Sequence, residues 1–421
     1  MFSVRIVLVV LAFVYWNFPV YLSVVPQWVN QIVYNGFPLM YLFFRRKELI
    51  GILQGLAKFK YCIYTLVCMN FAVIWAFITI VYNNTNDWSY FFKIFTVLRN
   101  VYVYIFLLIL AGYALPRKDT LESFGLFWGA AVTFCVLFTI FTLLLPDFRS
   151  SWQQLVTSTQ RVEELTDMAE YVTRFSINGF AGYGQTIVCS ISAMFSLLLI
   201  SKGYRLGILF FVSAIVGNLF YGRIGVIMSC VSVVFLLLKN LSIKRTSIYI
   251  ASIIGLLIAF NMIFDLLDNP LLDAWKLWLM QPIEAFTTGL QYGQLSFGSS
   301  GDKLSKEMYF MPDESTFIWG DGRYTNNDES YYMRTDAGYM RIILYFGIVG
   351  ASLVYLSYFL LFLQAKSLSK DNMLIKYSCE ILLILLFIEE YKGDGYGLFF
   401  GLMFVLIAGS LWRRNKENAK Y

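Results

Sequence analysis

Long apolar runs fill the chain, separated by short polar connections that carry most of its charge. Twelve of the runs approach the roughly 20 residues that a spanning helix needs. They lie at about 5–25, 28–44, 60–82, 94–115, 123–145, 181–200, 206–221, 224–238, 246–265, 337–364, 377–391 and 396–412. This pattern predicts an all-α polytopic membrane protein with about 12 transmembrane helices, a single transmembrane domain over residues 1–421. The runs on either side of Tyr221-Gly222-Arg223 almost touch, so a turn of two or three residues joins spans seven and eight. The first run starts with a lone Arg5 and has no small-residue cleavage site, which reads as a retained helix.

Two connections exceed what a helical hairpin requires. In 146–180, Trp152, Leu155, Val156, Val162, Leu165, Met168, Ala169 and Val172 recur at helical spacing. That spacing predicts an amphipathic helix along the membrane surface, capped by Ser150 or Ser151. The second loop, 266–336 between spans nine and ten, is rich in Trp, Tyr, Gly and Asp and opens with the aromatic stretch Trp275 to Leu290.

Composition strengthens the membrane reading: 58 % of residues are hydrophobic and 14 % charged, with a mean hydropathy of +0.63. Soluble domains carry about 25 % charged residues, and a chain with so few cannot cover its surface in water. Charge then orients the spans. With the N-terminus inside, 20 of the 33 Lys and Arg face the cytoplasm with only 6 of the 27 Asp and Glu, a net +14 inside against −8 outside. Both termini are therefore expected in the cytoplasm and both long loops outside. The overall +6 is scattered between apolar runs and gives no nucleic-acid footprint.

Candidate chemistry is narrowed by what is missing. The sequence has no histidine, and its six cysteines all lie in apolar stretches without metal-ligand spacing. No cofactor or metal is expected. Gly298-Ser-Ser-Gly301-Asp-Lys303 lacks the spacing of a phosphate loop and follows no strand. On the external side stand Arg174, ahead of Gly184, then Arg223 in the short turn, and Arg334 and Arg341 where span ten begins. Arginines at span ends ordinarily snorkel to lipid phosphates. The positive-inside rule disfavours these, however, and a guanidinium fork suits a diphosphate bidentately. Asp336, at the edge of span ten, reads either as a helix N-cap or as a general base. Asp321, Arg323 and Glu329 are further candidates in the same loop. Glu389, Glu390, Lys392 and Asp394 form a second polar group, read as a salt-bridged turn ahead of a wall of the site.

The chain resembles the O-antigen polymerase (Wzy-type) family, which is related to the O-antigen ligases. The likeness rests on its architecture of twelve spans with a large external loop after the ninth. Locally it rests on Phe-Tyr-Gly222-Arg223-Ile-Gly225, on Asp336-Ala-Gly-Tyr with Tyr345-Phe-Gly347-Ile-Val-Gly350, and on Arg174 to Gly184. Gly222 stands where the family usually has Ser. The ligases usually carry a His where span ten begins, and this chain has none. The resemblance implies a C-type glycosyltransferase-like fold in the bacterial inner membrane, acting in lipopolysaccharide or related polysaccharide biosynthesis. It implies metal-independent, inverting transfer between undecaprenyl-diphosphate-linked glycans, with membrane lipid as the other partner. A chain-length regulator protein is a partner that the resemblance leaves open. In that chemistry Arg223, Arg174 and Arg341, with Arg334, would meet the leaving diphosphate, and Asp336 would take the acceptor proton. A lipid-linked oligosaccharide flippase or other transporter, and an O-antigen ligase, remain as alternatives.

Overall fold

The computed structural model describes residues 4–156, 174–239, 276, 277, 280, 284, 287, 288, 298–326, 330–368 and 373–418. It is mostly helical. In chain order the helices are α1 (Val4–Asn17), α2 (Gln27–Phe44), α3 (Arg46–Ala57), α4 (Lys60–Asn83), α5 (Ser89–Ala114), α6 (Thr120–Leu144) and α7 (Pro146–Leu155). A small hairpin follows, β1 (Phe175–Ser176) antiparallel to β2 (Gly179–Phe180). Then come α8 (Tyr183–Ser201), α9 (Leu206–Tyr221), α10 (Arg223–Leu238), α11 (Gly298–Lys306), α12 (Glu314–Trp319), α13 (Gly338–Leu368), α14 (Met373–Lys392) and α15 (Tyr396–Asn418). Among the described residues, α4, α5, α6, α8 and α13 are long and apolar enough to cross a bilayer. Helices of this kind satisfy every backbone group internally, as lipid requires.

Helix α4 shows which solvent the chain is built for. Apart from Ile80, its buried stripe is small or polar, with Cys62, Thr65, Ala72, Ala76 and Thr79. Its exposed face is large and apolar, with Ile63, Leu66, Phe71, Ile74, Phe77 and Val81. Water would select the reverse. Small residues inside let helices approach closely in lipid, where apolar side chains gain nothing by hiding.

Several boundaries differ from the sequence expectation. The first helix stops at Asn17, where Trp16 and Tyr34 bind each other's carbonyls (Nε1 to Tyr34 O, 2.9 Å; Tyr34 Oη to Trp16 O, 3.1 Å). Helix α5 starts at Ser89, which brings Lys93 into it. Between spans two and three, α3 forms a helix where only a basic connection was expected, because Ile52 and Leu56 bury on one face. The helix expected along the membrane surface begins at Pro146, whose missing N–H suits the first helical position. Ser150 and Ser151 are therefore interior, not caps, and donate to the carbonyls of Pro146 and Asp147. The remainder of that loop (157–173), the ninth span (246–265) and most of the stretch from Trp275 to Leu290 lie outside the described residues.

The chain packs as two units. One comprises Met1–Phe37 and Leu110–Glu284, the other Pro38–Ile109 and Ala285–Tyr421. In the first, α6, α8 and α9 pack together, with the Trp128 indole donating to Val188 O at 3.0 Å. Asp119 caps α6 through Leu121 N.

In the second unit α13 packs along α4 but is broken at Gly347, whose φ of 62° and ψ of −179° interrupt the helical ladder. The break frees the carbonyls of Leu344, Tyr345 and Phe346, which must find donors. Asp321 N reaches Leu344 O at 2.8 Å, Gly322 N reaches Tyr345 O at 3.0 Å, and the Trp75 indole reaches Phe346 O at 2.7 Å. The segment after α12 thus lies against the break, with Gly320 (φ 79°) backed onto Gly347. A Cβ on Gly347 would stand 2.2 Å from Ile318 O, so both the conformation and the contact demand glycine.

Candidate functional site

The break in α13 fixes where the following loop goes. Asn83 Nδ2 donates to Gly320 O at 3.0 Å and Thr85 Oγ1 to Gly322 O at 2.7 Å. Asp87, between α4 and α5, then clamps the next two residues: its Oδ2 accepts from Tyr324 N at 2.6 Å and from Thr325 N at 2.9 Å. Burial alone would raise the Asp87 carboxyl. Hydrogen bonds from Ser89, Thr325 and Tyr324 outweigh it and hold the group below its ordinary value.

Tyr324 so held lies against the first turn of α13. There the Arg341 guanidinium packs between two rings, 3.6 Å from the Tyr324 centroid and 3.9 Å from that of Tyr331. Arg341 is 9 % exposed, its Nε is buried without a hydrogen-bond partner, and no described residue forms an ion pair with it. A buried cation is ordinarily paired, because leaving it alone is costly. Stacking covers the faces of a guanidinium and leaves its edge, with the N–H donors, for an anion.

Other charges crowd the same end. Lys93 of α5 pairs with Asp394, which follows α14. Tyr324 Oη joins the two, accepting from Lys93 Nζ at 3.1 Å and donating to Asp394 Oδ2 at 2.8 Å. Glu390 accepts from Tyr355 Oη and Tyr396 N, both at 3.1 Å, and its carboxylate lies beside Gly338 at the start of α13. An anion is favoured at that helix end. The polar group at the end of α14 is therefore a tertiary assembly with α5, α13 and the loop. These contacts reach beyond the salt-bridged turn read from the sequence.

Asp336 lies just before α13, and its Oδ1 is buried with no hydrogen-bond partner. Thr335 Oγ1 accepts from Ala337 N at 3.3 Å, a local turn ahead of the helix. Asp336 makes no capping hydrogen bond among the described residues. Met333 (φ 54°) and Arg334 (φ 56°) precede it in the left-handed region, each at a cost of about 1–2 kcal/mol. Strain of this kind concentrates at functional sites. Asp321 is spent on structure, with Oδ1 accepting from Thr316 Oγ1 (2.8 Å) and Oδ2 from Tyr332 Oη (2.9 Å). Arg323 lies over the Tyr332 ring at 5.6 Å, and Glu329 is outside the described residues. Trp75, Ile78, Tyr82, Asn83 and Trp319 line a mostly apolar pocket of about 430 Å³ at the end of α4.

The first unit holds the other two arginines. Arg223 opens α10 directly after Gly222, and Arg174 leads into the hairpin. Tyr221 ties their neighbours together: its Oη lies 2.8 Å from Thr139 Oγ1 and 3.3 Å from Ser176 Oγ. Arg174 and Arg223 each stand two residues from that Ser176–Tyr221 bond, so both belong to one end of this unit. Asn218 and Ser190 fix the first turn of α10 by donating to Gly225 O at 3.1 and 3.3 Å.

The structure thus sets Arg174 and Arg223 in one unit, and Arg341, Asp336, Asp321, Arg323 and Arg334 in the other. Sequence reasoning missed Lys93, Asp87, Tyr324 and Tyr331. Lys93 left one signal: it interrupts an otherwise apolar stretch at the start of a span, where ionisable residues are rare and functional. Among the described residues no group of three or more Cys, Asp and Glu side chains is placed to hold a metal. No protein-family model and no curated protein matches the chain in sequence.

Proposed function

We propose that the protein polymerises undecaprenyl-diphosphate-linked repeat units into O-antigen or a related surface polysaccharide. It does so at the outer face of a bacterial plasma membrane, by metal-independent inverting glycosyl transfer. The observation that carries this reading is Arg341, a buried guanidinium with no ion-pair partner among the described residues, stacked on tyrosines five residues after an unsatisfied carboxylate oxygen. An acceptor hydroxyl attacks the anomeric carbon of the donor glycan, the C–O bond to the diphosphate breaks, and the leaving group departs with its electron pair. Arg341 meets the developing charge, as preorganised donors do. Asp336 takes the hydroxyl proton. The apolar pocket beside Trp75 and Trp319, in the same unit as Arg341, suits the prenyl chain, and Arg174 and Arg223 are proposed as diphosphate ligands within the first unit.

The charges favour this reading over a flippase. Lys93 and Arg341 lie in the first turns of α5 and α13, and Glu389 and Glu390 in the last turn of α14. All are at helix ends that charge bias assigns to the outside, whereas a translocation path would need charges at mid-span.

The test is a surface-glycan gel from the host strain. Asp336→Asn is expected to give folded protein that makes single-repeat glycan, from a rate loss of roughly 10²–10⁴-fold. Arg341→Lys and Arg223→Lys should lose most polymer, because an ammonium cannot grip a diphosphate bidentately. Normal ladders in all three variants, at normal protein level, would sink the proposal. Complete absence of surface glycan in a chromosomal deletion would indicate a flippase or ligase instead.

A further inference from the structure

Helix α3 presents two unlike faces. Ile52 and Leu56 are buried, and Gly55 lets α15 approach so closely that a Cβ there would stand 2.9 Å from Leu411 Cδ1. On the opposite face Ile50 and Leu53 are 48 % and 49 % exposed, with Ala57 exposed beside them. At the helical repeat these three fall within about 60° of one another, with Arg46 among them and Lys47 and Lys58 along one edge. Arg46, Lys47 and Lys58 are all exposed. From Phe44 to Tyr61 there are five Lys and Arg and one acidic residue, Glu48, whose carboxylate is 3.8 Å from Arg45.

A helix of 12 residues is too short to span a bilayer, which takes about 20. Its outward face suits neither bulk water, because of Ile50 and Leu53, nor the bilayer core, where Lys and Arg are costly. The boundary between acyl chains and headgroups suits both halves. Lys47 and Lys58 are also about 16 Å apart along the axis. One small anion cannot reach both, whereas a surface of phosphodiesters meets each.

We infer that α3 is an in-plane helix that binds anionic phospholipids. Ile50, Leu53 and Ala57 enter the acyl boundary, Arg46 snorkels from among them, and Lys47 and Lys58 meet separate headgroup phosphates. Lys60, exposed at the start of α4, extends the basic edge. Charge bias assigns this connection to the cytoplasmic leaflet. Nothing in this site depends on the polymerase reading.

The full chain in a non-ionic detergent is titrated with phosphatidylglycerol, and separately with phosphatidylcholine, and bound lipid is read by native mass spectrometry. The unsubstituted protein should bind phosphatidylglycerol more tightly. Each basic residue near an anionic lipid surface is worth roughly fivefold in affinity, so Arg46→Gln with Lys47→Gln and Lys58→Gln should weaken phosphatidylglycerol on the order of a hundredfold. Phosphatidylcholine binding should not change in that triple variant. Ile50→Ser with Leu53→Ser keeps the charges and should weaken both lipids. Because the three basic side chains are exposed, the triple variant should melt without lipid as the unsubstituted protein does. Lys303→Gln with Lys306→Gln, on α11, controls for charge alone and should alter neither lipid. Equal affinity for the two lipids in the unsubstituted protein, or a preference that survives in the triple variant, overturns the inference. Displacement of phosphatidylglycerol by inorganic phosphate at a comparable concentration would also overturn it, since that behaviour belongs to a phosphate site and not to a lipid surface. An equal loss in the α11 variant would do the same, by making net charge the source of the preference.

Discussion

The arginine-bearing regions of the two units are held by opposite means. Next to Arg174 and Arg223 in the chain runs a set of neutral hydrogen bonds, made by the hydroxyls of Tyr221, Thr139 and Ser176 and the amide of Asn218. Arg341 stands on a charged framework, where Asp87 clamps the loop and Lys93, Asp394 and Tyr324 form a bonded triangle. Neutral hydrogen bonds fix a position at little electrostatic risk. A charged framework is costly to bury and sensitive to any unpaired member, yet it gives a ligand charges to exchange with.

The widest separation between the two units lies in their backbones. Gly347→Ala must place a Cβ at φ 62° and 2.2 Å from Ile318 O. Overpacking typically costs about 1–3 kcal/mol, and the backbone strain adds to it. Misfolded or severely destabilised protein is expected, read as loss of the monodisperse peak in detergent. In the first unit, Gly184→Ala meets nothing within 4 Å in the first turn of α8 and should be neutral or slightly stabilising. A well-behaved Gly347→Ala protein would mean that the break is not held by the segment after α12.

The same contrast explains what was legible in the sequence. At the first end the signals are local: Gly222-Arg223 between two apolar runs, and Arg174 with its glycines, can be read without knowing the fold. The small-inside, large-outside faces of α4 follow from an apolar run whose solvent is lipid. At the second end only Asp336 and Arg341 are neighbours in the chain. Lys93 and Asp87 come from more than two hundred residues away, and no spacing rule brings them to Tyr324. The helix break was equally hidden, because Gly347 in an apolar run looks like any glycine in a span until the donors at Asp321, Gly322 and Trp75 are known.

A smaller effect comes from removing one hydroxyl at each end. Tyr221→Phe deletes neutral bonds to Thr139 and Ser176 and should cost about 0.5–1.5 kcal/mol. Tyr324→Phe keeps the ring under Arg341 but deletes the bonds to Lys93 and Asp394, and bonds to charged groups are worth about 1.5–3 kcal/mol. Tyr324→Phe should therefore melt lower than Tyr221→Phe at low salt. Raising salt should leave the Tyr221→Phe difference unchanged. Equal differences in the two variants would erase the distinction between a neutral and a charged framework.

The smallest effect is a pH dependence confined to the charged end. Hydrogen bonds to Asp87 hold its carboxyl below its ordinary value in the folded protein. A carboxyl lowered on folding stabilises above its unfolded value, about 3.9, and that contribution disappears as pH falls through the lower, folded value. Asp87→Asn never has it. The melting temperature of the unsubstituted protein should therefore exceed that of Asp87→Asn at pH 7 by a few degrees, at about 2–4 °C per kcal/mol for a unit of this size. The gap should begin to close below about pH 4, where the unfolded chain takes up the proton first. No comparable closing is expected for Asn218→Ala, whose amide does not titrate and whose bonds to Gly225 O and Ser229 belong to the neutral end. A gap that stays constant down to the acid limit would show that the clamp on Tyr324 works without the Asp87 charge. The loop beneath Arg341 would then be held by hydrogen-bond geometry alone.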